Sequence, residues 1–164
     1  MIRALPLSVE AFAPFGDVVS AGLKAGAPAN QGTAVRFDHC APLINARAHA
    51  KANLAVFRSV PKTLPFEVKL LEKHPHSTQV FLPMRCSRLL ICVAPALLGG
   101  APDVSQLKAF LCEPGQGISY NADTWHHPMV ALDEAAELAM IAFEDGSPDD
   151  CIVYPLAHPV LVAD

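Results

Sequence analysis

Residues 72–83 read EKHPHSTQVFLP, and residues 115–128 read GQGISYNADTWHHP. Within the first stretch His74 and His76 are two positions apart, with Glu72 two before them. On an extended strand these three side chains project from one face. Gln79 follows three positions after His76. His126 comes from the second stretch behind a turn-forming Asn121-Ala122-Asp123, which lets two distant strands converge on one point. Imidazoles together with an amide oxygen suit a borderline divalent transition metal. A lone histidine in a strand is more often packed than ligating, so the reading rests on several donors gathered by one pattern. His74, His76, Gln79 and His126 are therefore the expected metal ligands, and Glu72 is the candidate general base. No motif in the chain asks for an organic cofactor.

An HxHxxQ strand followed by a later histidine behind a glycine-rich hairpin resembles the two-part metal signature of cupins. Cupins commonly place a glutamate after the paired histidines, where this chain has Gln79. A neutral ligand there leaves the ion more Lewis acidic. The flanking residues sharpen the match: LPLSVEAFAPFGDVV at 5–19, HPHSTQVFLPM at 74–84, APDVSQLKAFL at 101–111 and GQGISYNADTWHHP resemble, in order, the ureidoglycolate lyase family. That resemblance implies a homodimeric enzyme of allantoin and purine breakdown that splits ureidoglycolate into glyoxylate and urea. That chemistry needs Glu72 or a metal-bound water to take a proton and an acid to return it, for which His126 is the candidate if it is not a ligand. Two other readings stay open: an amidohydrolase releasing ammonia from the same substrate, and a non-catalytic cupin that binds a small acid.

Substrate contacts are expected from outside the histidine strand. Asn30-Gln31-Gly32 leads into TAVRFDH, where alternation puts Arg36 opposite Val35 and Phe37. A lone arginine on a strand commonly faces solvent, yet its planar guanidinium also grips a carboxylate through two parallel hydrogen bonds. The resemblance has an arginine after an Asn-x-Gly loop, so Arg36 and Asn30 become candidate substrate-binding residues. Tyr120 joins them as a hydrogen-bonding wall, whereas Trp125 reads as packing.

Around these stretches the chain reads as many short strands. NLAVFRSV (53–60), FEVKLLEKH (66–74), RLLICVAP (88–95), ISYN (118–121) and ELAMIAFE (137–144) are strand-like runs broken by Gly, Pro and Asp. In FEVKLLEKH, Val68, Leu70, Glu72 and His74 are expected to share one side. LKAGAPANQG (23–32) reads as a loop, SQLKAFLC (105–112) as helix or strand, and CIVYPL (151–156) as a last extended piece. Ser8 caps a short helix over 7–13 that Pro14 stops. The pattern predicts an all-β, cupin-type double-sheet barrel of jelly-roll kind with a short N-terminal helix, as a single domain over 1–164.

Composition narrows the partners. A net charge of -4, with basic residues scattered and not in runs, gives no footprint for nucleic acid. The first twenty residues carry Pro6, Glu10, Pro14 and Asp17, which interrupt any signal-peptide core, and no apolar run reaches membrane-spanning length. A cytoplasmic protein acting on a small molecule is expected. Charged residues are 17% of the chain, below the roughly 25% of an average soluble protein, so surface is expected to be buried between subunits of a homodimer. The five cysteines lack CxxC spacing and read as buried reduced thiols.

Overall fold

The computed structural model describes residues 1–164. Two β-sheets carry the chain. The smaller is ordered Gly16–Val19, Gly117–Tyr120, Gln79–Arg85, Ala136–Glu144 and Lys51–Ser59. The larger contains Ile152–Ala163, Phe66–Lys73, Trp125–His126, Arg88–Ala94 and Lys108–Cys112 as successive neighbours, with Val130–Leu132 also beside Arg88–Ala94. Ile2–Arg3 pairs with one edge of the larger sheet, along Ile152–Ala163, and Leu5–Pro6 pairs with the other, along Lys108–Cys112. Only Ala4 separates these two pairings, so the larger sheet curls until its edges meet.

Two cores follow from the alternation of the Arg88–Ala94 strand. Leu89, Ile91 and Val93 face the smaller sheet and pack with Phe81, Phe110, Ile118, Tyr120, Leu138 and Met140. Leu90, Cys92 and Ala94 point the other way, into a cluster made by the larger sheet alone with Val68, Leu71, Trp125 and Val162. A strand buried on both faces reads as a continuous apolar run, which is how RLLICVAP looks. The short helix is Val9–Phe12, and the Ser8 hydroxyl accepts from Ala11 N at 3.2 Å. It lowers Phe12, fully buried, onto Phe15, Phe110 and Tyr120. Burying one such ring contributes about 1.5–3 kcal/mol.

Three expectations change. First, Val68 shares its core with Leu71 rather than with Leu70 and Glu72, at the point where the ladder to Ile152–Ala163 slips between Pro155 and Val160. Second, that strand ends at Lys73, so His74-Pro75-His76 lies in a turn and strand parity no longer aligns the two histidines. Third, part of the 23–32 loop is a strand: Gly26–Ala29 pairs with Ala34–Phe37 in a hairpin that joins neither sheet. The ambiguous 105–112 run divides into a 3-10 turn, Val104–Gln106, and the strand Lys108–Cys112.

Candidate active site

His126 stands opposite Glu72 in the ladder between their strands, so both side chains leave the larger sheet on its inner face. The turn before His126 docks on the first stretch: Asp123 N donates to the His74 carbonyl at 2.9 Å, and Lys73 pairs with the Asp123 carboxylate at 2.6 Å. Gly16 lets the next strand come close, since a Cβ there would sit 1.9 Å from Ser119 O. Tyr120, on that strand, lays its ring over His126 with centroids 4.0 Å apart and planes 14° apart. His74 stacks on His126 at 5.4 Å.

The ligating atoms of Glu72, His74 and His126 lie within 4.8 Å of one another. Both rings have a fixed tautomer. His74 Nδ1 lies 2.7 Å from the Asp150 carbonyl and His126 Nδ1 lies 2.9 Å from the Thr124 carbonyl. A carbonyl only accepts, so each Nδ1 carries a hydrogen and each Nε2 is the ring nitrogen left for the site. Both Nε2 atoms are buried without a hydrogen-bond partner, as is Gln79 Oε1. His126 Nε2 faces Glu72 Oε1 at 3.7 Å, a lone pair opposite a carboxylate. Unpartnered buried acceptors converging in this way are costly unless a cation lies between them. The donor set fits a borderline divalent ion.

Burial sets the charge states. It pushes His126 down to about 3, against the Thr124 hydrogen bond, so the ring is neutral at pH 7. It raises the Glu72 carboxyl above its ordinary value, with His74 and the Cys151 thiol pulling the other way. That thiol lies 3.8 Å from Glu72 Oε2 and is itself pushed up to about 11, chiefly by burial. Asp150 is fixed by an ion pair with Arg47 and accepts from the backbone N–H groups of Asp145 and Gly146. This loop thus sets the orientation of His74 through a backbone carbonyl. Contacts from Asp150 and Cys151 carry no sequence signal, because they exist only once residues 152–155 pair with 70–73.

Glu72 and Gln79 line a pocket of about 190 Å³ whose other walls are Phe57, Ser59, Phe81, Pro128, Met129 and Leu138. A wider groove between Phe15, Lys108 and Trp125 holds none of the unpartnered atoms. The remaining candidates lie as follows. His76 is in the turn and does not join the triad. Tyr120 is 1% exposed and sends its hydroxyl to Met129 Sδ at 3.6 Å, so its ring is what faces the site. Asn30 and Arg36 sit on the outlying hairpin, and Arg36 pairs with Asp38 at 3.0 Å in the open. Glu72, expected only as a base, stands among the ligand-type groups.

A double sheet with two histidines and a glutamate converging between its layers defines a cupin with a metal-type centre. The fold is shared with a dTDP sugar isomerase from Desulfovibrio desulfuricans, at a TM-score of 0.52 and 12% identity, covering 85% of this chain and 88% of that one. The sequence profile of the ureidoglycolate lyase family matches residues 1–163, and the chain belongs to that family. A ureidoglycolate lyase of Burkholderia mallei is 39% identical over 136 residues, covering 83% of this chain and 78% of that protein. One of Burkholderia cepacia is 37% identical over 158 residues, covering 95% and 86%.

Proposed function

We propose that the chain is a ureidoglycolate lyase that releases urea and leaves glyoxylate. The observation that carries this reading is the Glu72 carboxylate, which lines a small pocket with Gln79 and lies within 4.8 Å of the ligating atoms of His74 and His126, in a chain of this family. His74, His126 and Glu72 would hold the ion, with Gln79 Oε1 as a fourth donor and His76 outside. A divalent ion bound there supplies Lewis acidity toward the substrate's hydroxyl oxygen.

The substrate carbon bears a hydroxyl, a carboxylate and the urea nitrogen. Loss of the hydroxyl proton lets the C=O bond form while the C–N bond breaks, and the departing nitrogen needs one proton. Glu72, made more basic by its burial, takes the first proton. The neutral His126 ring has no proton on its pocket side, and Glu72, once protonated, is placed to return that proton to the nitrogen. Tyr120 holds the His126 ring in register by stacking. Phe57, Phe81, Met129 and Leu138 line the pocket with apolar surface.

Product identification tests the bond that breaks. Urea and glyoxylate are expected in equal amounts, with ammonia appearing only when urease is added. Direct release of ammonia with no early urea would instead assign an amidohydrolase. Turnover of neither kind, with tight glyoxylate binding, would assign a binding cupin.

The chain works as a homodimer, as one cupin unit spanning 1–164, in the cytoplasm. Support for the dimer is the outer face of the smaller sheet, where Leu54, Val56 and Met84 are 70%, 61% and 62% exposed around Ala139 and Ile141. Exposed apolar patches of this kind mark interfaces. Light scattering is expected to give twice the chain mass at micromolar concentration, and a stable monomer would refute it. All five cysteines are free thiols, which suits a reducing compartment, and no helix is long and apolar enough to cross a membrane.

A further inference from the structure

The pocket has no cation of its own for the substrate's carboxylate. Its walls hold Glu72, Gln79 and Ser59 among apolar side chains, with no lysine or arginine, and none of them comes from residues 20–50. Glu72 is itself anionic, and it uses up part of the charge of any ion bound beside it. A second anion entering this pocket calls for a further positive group.

The Gly26–Phe37 hairpin carries one, engaged in its own chain only by the exposed carboxylate of Asp38. Its strands pair only with each other. The Arg36 side chain is 72% exposed, and its partner Asp38 is exposed too. An ion pair so open to solvent exchanges freely for a better acceptor. At the hairpin tip Asn30 and Gln31 both adopt left-handed φ values, 49° and 56°, so the tip has a defined shape although nothing packs on it.

The pocket also opens where a second copy would sit. Phe57 and Ser59 line it from Lys51–Ser59, the free edge strand of the smaller sheet. The same strand presents Leu54 and Val56 outward, and Val60 just beyond it is 69% exposed. The apolar surface that supports the dimer is thus continuous with the mouth of the site.

We propose that Arg36 acts in trans: the Gly26–Phe37 hairpin of one subunit covers the pocket mouth of a second copy, and its guanidinium grips the substrate carboxylate there. The inference rests on the ureidoglycolate reading for the identity of that carboxylate. Each site is then built from two chains, with Glu72, His74 and His126 from one and Arg36 from the other.

Subunit complementation tests it. Arg36→Ala is expected to lower kcat/KM about 100-fold, mostly through KM, with Arg36→Lys recovering part of the loss. Glu72→Ala is expected to be inactive for want of the base. A heterodimer of one Arg36→Ala chain and one Glu72→Ala chain, purified through two different tags, contains one site with both residues intact. About half of wild-type turnover per dimer is expected from that site count. A heterodimer as inactive as its parents overturns the proposal, because it places Arg36 and Glu72 in one chain's site. Wild-type kcat/KM in Arg36→Ala overturns it as well. A wild-type protein that splits no ureidoglycolate counts against the activity reading alone. The arm is overturned without reference to turnover by a chain that stays monomeric in light scattering.

Discussion

Replacing His126 with alanine is expected to remove divalent-ion binding and to lower kcat/KM on the order of 10³-fold, as when a principal electrostatic group is taken from a site. His126 is 1% exposed and lies between the rings of Tyr120 and His74, so no neighbouring donor can swing into its place. Its Nε2 is one of three acceptors left without partners. Removing it leaves one imidazole, Glu72 and the neutral Gln79 oxygen, too weak a set to hold an ion against water. Elemental analysis and metal titration on tag-free protein check this, with circular dichroism confirming that the sheets persist. An ion content unchanged in both His126→Ala and His74→Ala would place the centre elsewhere. Turnover lost with the ion retained would move His126 to another role.

Glu72→Gln is expected to lower kcat on the order of 10³-fold while KM moves only a few-fold, in the range for loss of a general base. The amide keeps the shape and one oxygen donor, so the ion is expected to stay bound. What it cannot do is take the hydroxyl proton and return it to the departing nitrogen. Steady-state kinetics beside metal analysis separates the two roles of this residue. If the ion is lost together with turnover, Glu72 is a ligand first. If kcat is retained, the base is another group.

Much of this centre is legible in the amino-acid order. Glu72 and His74 announce themselves by spacing, and His126 by the glycine-rich strand and turn before it. What spacing alone misjudges is where the strand stops: with Lys73 its last residue, His76 turns away from a face it was expected to share. The alternation of Val68 and Leu70 misleads at the point where the neighbouring ladder is irregular, which nothing in the spacing marks. CIVYPL reads as a short final piece because Pro155 and Pro159 interrupt it, yet Ile152–Ala163 is one long strand. Prolines are tolerated there because the strand's outward side is paired only at Val162 and Ala163, and Pro159 falls where the inner ladder is irregular. The hairpin at 26–37 is hidden in a stretch rich in Gly, Ala and Pro, since it has no core to face and so no apolar alternation to display.

The short extended run around Ala4, which touches both edges of the larger sheet, also constrains the order of assembly. Ile2 lies beside Val162, while Leu5 lies beside Phe110. During synthesis the segment that must close the ring emerges first among these residues, and one of its two partners emerges last. Until residues 152–163 are available, one edge of that sheet has no strand to receive Ile2, and the Phe66–Lys73 strand beside the catalytic centre is open on one side. Pairings between such distant parts of a chain form slowly, and unpaired edges are where chains of this kind stick to one another. The nascent chain therefore carries Glu72 on an unfinished edge, and ring closure and completion of the centre belong to the same late event.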